Sequence, residues 1–314
     1  MLSIETSDLS KIVSILSTYG ICIIPSVLND EECYNLANGM FNTFSQITSQ
    51  MDIPFNYNDS STWKTLDLLY PKHNMLHQHW GIGQSQFVWD VRCNPKIINC
   101  FEQLWQTSNL LVSFDGVSLH LPSEITKKGW FKNSWYHADQ SFYSLGPQCV
   151  QGLVNGFDTN EGDASLTVLI KSHQYQEEYL QSHQNLTKDD FSKVDDIQFY
   201  IDRGCFEHRI TCPKGSLVLW DSRTLHFGSE PIKGRSVMNT RAVIYLCYSP
   251  REKASVKILE KKKKAFLEQR MTNHWPHNPK LFPKLPRTYG NPLPNITTLP
   301  FPIIDHKYAY LIGF

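Results

Sequence analysis

Leu110-Leu111-Val112-Ser113-Phe114-Asp115-Gly116-Val117 is the first of six short apolar runs, and the others cover residues 135–142, 149–157, 166–170, 216–220 and 241–248. Runs of this length, rich in Val, Ile, Leu and aromatic residues and separated by turn formers, read as strands. Helix-length patterns do not alternate with them, so they suggest an antiparallel sandwich or jelly roll rather than a parallel sheet with crossover helices. The expected class is mainly β with flanking helices.

Outward from those runs the chain is more varied. Residues 8–18 place Leu9, Ile12, Val13 and Leu16 at helical spacing, Gly20 interrupts, and 21–24 form an apolar edge strand. Asn29 and Asp30 offer an N-cap to a helix running to about Phe44. Residues 50–92 show no clear period and read as loops that wall a cleft, while 95–105 look helical. The polar stretch 172–191 reads as an insertion at one end of the sandwich. An exposed helix is expected over 252–269, with the basic run Lys261 to Lys264 on its solvated face, and the proline-rich tail after 276 reads as an extended arm. These pieces form one expected domain: helices and loops over 1–109, a jelly-roll core over 110–250, and a helix and arm over 251–314.

Thirty basic residues balance thirty acidic ones among the 314, which leaves no overall footprint for nucleic acid or an anionic membrane. The first ten residues lack a secretory pattern and no later run reaches membrane-spanning length, so an intracellular, cytoplasmic location is expected. Eight cysteines without a CxxC pair suit reduced, buried thiols and speak against zinc-ribbon or thioredoxin chemistry.

The chemistry-bearing stretch is Trp135-Tyr136-His137-Ala138-Asp139. On a strand, residues two apart share a face, so His137 and Asp139 converge. His226 follows the strand at 216–220, far enough along the chain for a jelly roll to return it to the same place. Two imidazoles and one carboxylate on one face of an octahedral ion leave three positions open, the facial arrangement of non-haem Fe(II) oxygenases. A keto-acid cosubstrate with a distal carboxylate then needs a fixed cation, and the fork of Arg241, at the start of the next strand, suits it. Each element has an ordinary alternative: an HxD pair on a strand is common without metal, and a lone arginine is more often a surface or ion-pair residue. Their order and strand context favour the joint reading.

The chain resembles the phytanoyl-CoA dioxygenase family of Fe(II)/2-oxoglutarate oxygenases. The resemblance begins at Gly20-Ile21-Cys22-Ile23-Ile24-Pro25-Ser26-Val27-Leu28-Asn29-Asp30-Glu31-Glu32. It continues through Tyr136-His137-Ala138-Asp139-Gln140 and Leu166-Thr167-Val168-Leu169-Ile170-Lys171-Ser172-His173, and ends with Asp221-Ser222-Arg223-Thr224-Leu225-His226 and Asn239-Thr240-Arg241-Ala242. It implies a double-stranded β-helix core (jelly roll, cupin-like). It also implies Fe(II), 2-oxoglutarate and O2 as cofactors, iron ligation by His137, Asp139 and His226, and an ion pair from Arg241 to the cosubstrate. Residues 229–238 depart from the family as a loop insertion before Arg241, which makes Arg235 a rival. Gly228 stands where relatives often carry a serine. Halogenating relatives have Ala or Gly where this chain has Asp139, so hydroxylation of a small-molecule or peptide substrate, with release of succinate and CO2, is expected.

His120 and Asn155 are further candidates for holding the cosubstrate. His73, His77 and His79 read as pocket-lining or hydrogen-bonded loop histidines, and His173 as a loop contact. Two alternatives remain open: a non-catalytic metal-binding jelly roll serving as sensor or scaffold, and an isomerase or hydrolase using the same ligands with another ion. The identity of the substrate and the oligomeric state are not legible.

Overall fold

The computed structural model describes residues 2–6 and 8–314. Its strands, in chain order, are β1 (Ile21–Ile24), β2 (Leu76–His77), β3 (Leu110–Val112), β4 (Val117–His120), β5 (His137–Ala138), β6 (Val150–Asn155), β7 (Ser165–Ile170), β8 (Ser192–Lys193), β9 (Phe206–Arg209), β10 (Leu217–Asp221), β11 (His226–Ser229), β12 (Arg241–Leu246) and β13 (Tyr248–Pro250). Six of them form a larger sheet in the order β1-β10-β6-β12-β4-β2, and five form a smaller one, β8-β5-β11-β7-β9; β13 pairs with β3 alone. Every pairing between these strands is antiparallel, in agreement with the jelly-roll expectation; the isolated bridge of Ser3 to Ile23 is parallel. The edge strand β1 belongs to the larger sheet although it lies well before residue 110.

Strand alternation sorts the residues between the layers. Leu153 of β6, Val218 and Trp220 of β10 and Val243 of β12 pack inward against Leu166, Val168 and Ile170 of β7. Their neighbours Val154, Leu217, Leu219, Ala242 and Ile244 point outward into the main core beneath the helices. That core is closed by α1 (Ile12–Tyr19), α2 (Asp30–Ile47), α3 (Gln86–Arg92) and α4 (Pro95–Trp105). A capping box starts α2: the Asn29 side chain accepts from the Glu32 N–H, and Glu32 accepts from the Asn29 N–H. Leu36, Met40, Phe44 and Ile47 then form its buried stripe, each contributing about 2 kcal/mol of apolar burial. Gly20 ends α1 with φ +80°, and a Cβ there would lie 2.4 Å from Thr224 Oγ1, so the approach of helix to sheet requires glycine.

Four expectations need correction or refinement. The stretch 50–92 is more than loops: it contains a 3-10 helix at Ser60–Leu69, strand β2 and the buried α3. The stretch 172–191 does more than close one end: Tyr179, with Phe199 and Tyr200 beyond it, packs on the outer face of the smaller sheet against Tyr136, Leu169 and Phe227. The helix Val256–Leu267 does not expose its whole basic run, because Lys262 is fully buried. Its ammonium donates to Val112 O at 2.6 Å and lies 4.1 Å from the Phe114 ring centre, and burial pushes its pKa down to about 7. After residue 281 the chain is irregular up to a 3-10 helix at His306–Leu311, an arm anchored in the main core by Leu299, Leu311 and Ile312.

All eight cysteines are unbridged, and only Cys93 is not fully buried. Among the described residues no helix is long and apolar enough to cross a membrane.

Candidate metal centre and its cavity

His137 of β5 and His226 of β11 are direct cross-strand partners in the smaller sheet, with ring centres 4.4 Å apart. Asp139 follows β5, its N–H bonded to Ser222 O at 3.0 Å. Its two oxygens lie 3.7 Å from His137 Nε2 and 3.4 Å from His226 Nε2. Ligand atoms from the three residues all fall within 4.8 Å of one another, so the three residues singled out by spacing are brought together.

Both rings are oriented for coordination. His226 Nδ1 donates to Thr224 O at 2.8 Å, and His137 Nδ1 faces Trp135 O at 3.4 Å, which leaves both Nε2 lone pairs aimed at the carboxylate. The turn before His226 is fixed by Arg223, whose guanidinium grips Asp221 with two bonds of 2.9 and 2.7 Å, and by the Ser172 hydroxyl on the Leu225 N–H. This backbone carbonyl gives the His226 ring its support, where Gly228 supplies no side chain. Burial pushes the His137 pKa down to about 3, with His226 adding to the effect, so its ring is neutral and able to ligate. Burial alone would raise the Asp139 carboxyl, but His274, His137 and His226 together hold it well below the usual carboxylate range.

Two residues missed in the sequence complete the surroundings of Asp139. Gln151 donates to Asp139 Oδ2 at 3.1 Å, and His274, from the chain beyond the last strand, places Nε2 3.3 Å from Asp139 O and Nδ1 3.9 Å from Oδ2. Gln151 shares the inward face of β6 with Leu153 and Asn155, so strand alternation could have found it. No pattern in the sequence marks His274.

Arg241 is buried, and among the described residues it has no carboxylate partner. Its contacts are long: 3.4 Å to Ser118 Oγ, 3.4 Å to Ala164 O and 3.5 Å to Tyr245 Oη. Arg241 itself lines a separate small cavity with Asn155 and Ala164, while Tyr245, at the end of its longest contact, lines the one that contains the triad. Arg235 is already committed, with two 2.8 Å bonds to Glu124 and one of 2.8 Å to Asp163.

Asn155 and His120 are corrected. The Asn155 amide donates to Phe157 O and Pro213 O and accepts from the Ser216 N–H, so the segments that leave β6 and enter β10 take up its hydrogen-bonding capacity. His120 Nε2 bonds Gly129 O at 3.1 Å, and the ring lines a separate small cavity with Trp63 and Leu121, not the one holding the triad. Of the loop histidines, His73 stacks on Trp135 at 4.0 Å at the cavity wall, His79 bonds Pro283 O, and His77 is buried. His173 bonds Ser17 O.

The cavity above the triad measures about 360 Å³ and is walled by His73, Leu76, Trp135, Phe191, His274 and Phe282 among others. Residues 16–236 match the family described as Phytanoyl-CoA dioxygenase (PhyH). The chain belongs to the phytanoyl-CoA dioxygenase family. It is therefore a non-haem iron oxygenase, and the family's cofactors are Fe(II), 2-oxoglutarate and O2. The His137, Asp139 and His226 donor set fits that ion: two nitrogens from buried imidazoles and one partly exposed carboxylate, already gathered at one point.

A similar protein, Ava biosynthesis cluster protein O of Aspergillus versicolor, is 29% identical over 236 residues, which span 72% of this chain and 74% of that one. Among solved structures, the epimerase SnoN in complex with Fe3+, alpha ketoglutarate and nogalamycin RO superposes with a TM-score of 0.52 at 15% identity, covering 77% of this chain and 83% of the other. The alpha ketoglutarate dependent carbocyclase SnoK from nogalamycin biosynthesis gives 0.52 at 13%, covering 77% and 85%. At these identities the likeness to the two solved structures is one of fold.

Proposed function

We propose that this phytanoyl-CoA dioxygenase family member hydroxylates a small molecule, with His137, Asp139 and His226 holding Fe(II) and Arg241 holding the distal carboxylate of 2-oxoglutarate. The observation that carries the reading is the pairing of an N2O donor cluster with a buried guanidinium that has no anion of its own. When bound, the metal and cosubstrate supply oxidative decarboxylation to succinate and CO2, coupled to oxidation of a substrate C–H bond.

The chain's own residues supply the setting for that chemistry. Thr224 O and Trp135 O fix the tautomers of the two ligand histidines, and Gln151 keeps the Asp139 carboxylate turned towards them. Trp135, stacked 4.8 Å from His137, screens that ring from water, and Phe191 packs on it at the same distance. The carboxylate of Asp139 occupies the place that halogenating relatives leave to a halide, which favours hydroxylation. The fold also carries an epimerase and a carbocyclase, so product analysis decides the outcome.

The test is anaerobic addition of Fe(II) and 2-oxoglutarate. A visible charge-transfer band that is absent in Asp139→Ala, together with slow succinate formation once oxygen is admitted, is the expected result. No band and no succinate from the wild-type protein would overturn the proposal.

A further inference from the structure

The cavity holds a second carboxylate that the proposed chemistry does not use. Asp115 lies on the turn between β3 and β4, is 8% exposed, and lines the same cavity as the triad. Its Oδ1 accepts from the Gly116 N–H at 2.7 Å; Oδ2 has no hydrogen bond and the side chain no ion pair among the described residues. Burial pushes its pKa up. The two lysines on the wall are engaged elsewhere: Lys72 donates to Gln78 Oε1 at 2.9 Å and Lys280 pairs with Asp190 at 2.9 Å.

The turn is held rigidly from behind. The fully buried Arg92 donates to the carbonyls of Gly83 and Asp115 at 2.5 and 3.0 Å. At Gly116 a Cβ would fall 2.2 Å from His77 O, so β2 clamps the turn from the other side. Oδ2 is thus a free acceptor presented to the cavity by a carboxylate with little other exposure, and a donor that reaches it would make a charge-assisted hydrogen bond. Met75, Leu76, Trp135, Leu166, Phe191 and Phe282 give the wall its apolar and aromatic surface, beside polar groups such as Gln78 and His274.

We propose that Asp115 sets substrate specificity by accepting a hydrogen bond from a hydroxyl or amino group on an otherwise apolar, ring-bearing small molecule. This names the substrate class of the site proposed above and rests on that reading only for what happens after binding. A donor anchored at Asp115 leaves the apolar body against the aromatic wall beside the triad. Fully apolar molecules and those bearing an anion at that position are disfavoured, the first for leaving the carboxylate unserved and the second for repelling it.

The probes are benzyl alcohol, benzylamine, benzyl methyl ether and toluene, titrated by ligand-observed NMR into the protein loaded anaerobically with Fe(II) and 2-oxoglutarate, and into the metal-free protein. The alcohol and the amine should bind about tenfold more tightly than the ether and toluene. Asp115→Asn should remove the amine's advantage, and Asp115→Leu that of both, while the charge-transfer band persists and shows that the variants are folded. A stronger amine identifies an ammonium as the natural group, and a stronger alcohol a hydroxyl. Equal affinity of the four probes, including no binding by any, or a preference unchanged in both variants, overturns the inference. A preference that is intact in a protein without the band leaves it standing and sinks the proposed reaction alone.

Discussion

The loop that ends at residue 240 and the strand that follows it each bury an arginine, and the two are opposite in surroundings. Arg235 is enclosed by Glu124 and Asp163 at 2.8 Å, with Asn239 O close by. Arg241, six residues on, meets only a serine, a backbone carbonyl and a tyrosine at 3.4 to 3.5 Å. Burying a guanidinium carries a large desolvation cost, which Arg235 offsets within the fold and Arg241 does not. Arg235 completes its own ion pairs and acts as a brace; Arg241, left short of an anion beside the triad's sheet, is the one proposed to receive the cosubstrate's carboxylate.

The contrast can be broken most directly at Arg241. Arg241→Ala should raise the 2-oxoglutarate requirement by two orders of magnitude or more, since a bidentate charged contact is worth about 3–5 kcal/mol. Thermal stability should hold or rise, because an unpaired buried charge is gone. Arg241→Lys should recover part of the affinity, as a point charge without the fork. Steady-state KM for 2-oxoglutarate and a melting curve together read both effects, and an unchanged KM would remove Arg241 from the site.

The opposite pattern is expected at Arg235. Arg235→Met should lower stability by about 3 kcal/mol by stranding Glu124 and Asp163, with a KM for 2-oxoglutarate within about twofold of wild type. A large rise in KM without loss of stability would make Arg235 the receptor and Arg241 the brace. The smallest effect sharpens the same distinction among carboxylates. Asp139 is served by an amide and three imidazoles, so Gln151→Leu should weaken Fe(II) retention by about tenfold, measured by competition with a chelator.

How much of this was legible follows from which residues obey a local period. His137 and Asp139 are two apart on a strand, His226 sits just after a strongly apolar run, and the alternation that buries Val218 and Trp220 can be read directly. Asn155, named as a candidate for the cosubstrate, does lie two positions beyond Leu153 on β6, but no local pattern shows that its amide is taken by Phe157, Pro213 and Ser216. His120 likewise occupies a strand position whose neighbour Gly129 captures the ring.

His274 and Lys262 were illegible for a different reason. The first lies in an aperiodic, proline-flanked stretch and reaches Asp139 only because the chain crosses the cavity mouth. The second sits in a run of four lysines, where charge alone indicates solvent, and is buried because Val112 O and the Phe114 ring lie above it. Neither contact leaves a trace in the residues next to it.

The direct facing of His137 and His226 across one ladder step has a last consequence. Side chains on a strand change face at every residue, so a slip of β5 by a single position would turn one imidazole away from the other. Capture of the ion thus proofreads the assembly of the smaller sheet: a chain misaligned by one residue has nothing with which to hold iron, and only the correctly threaded molecule can become an oxygenase.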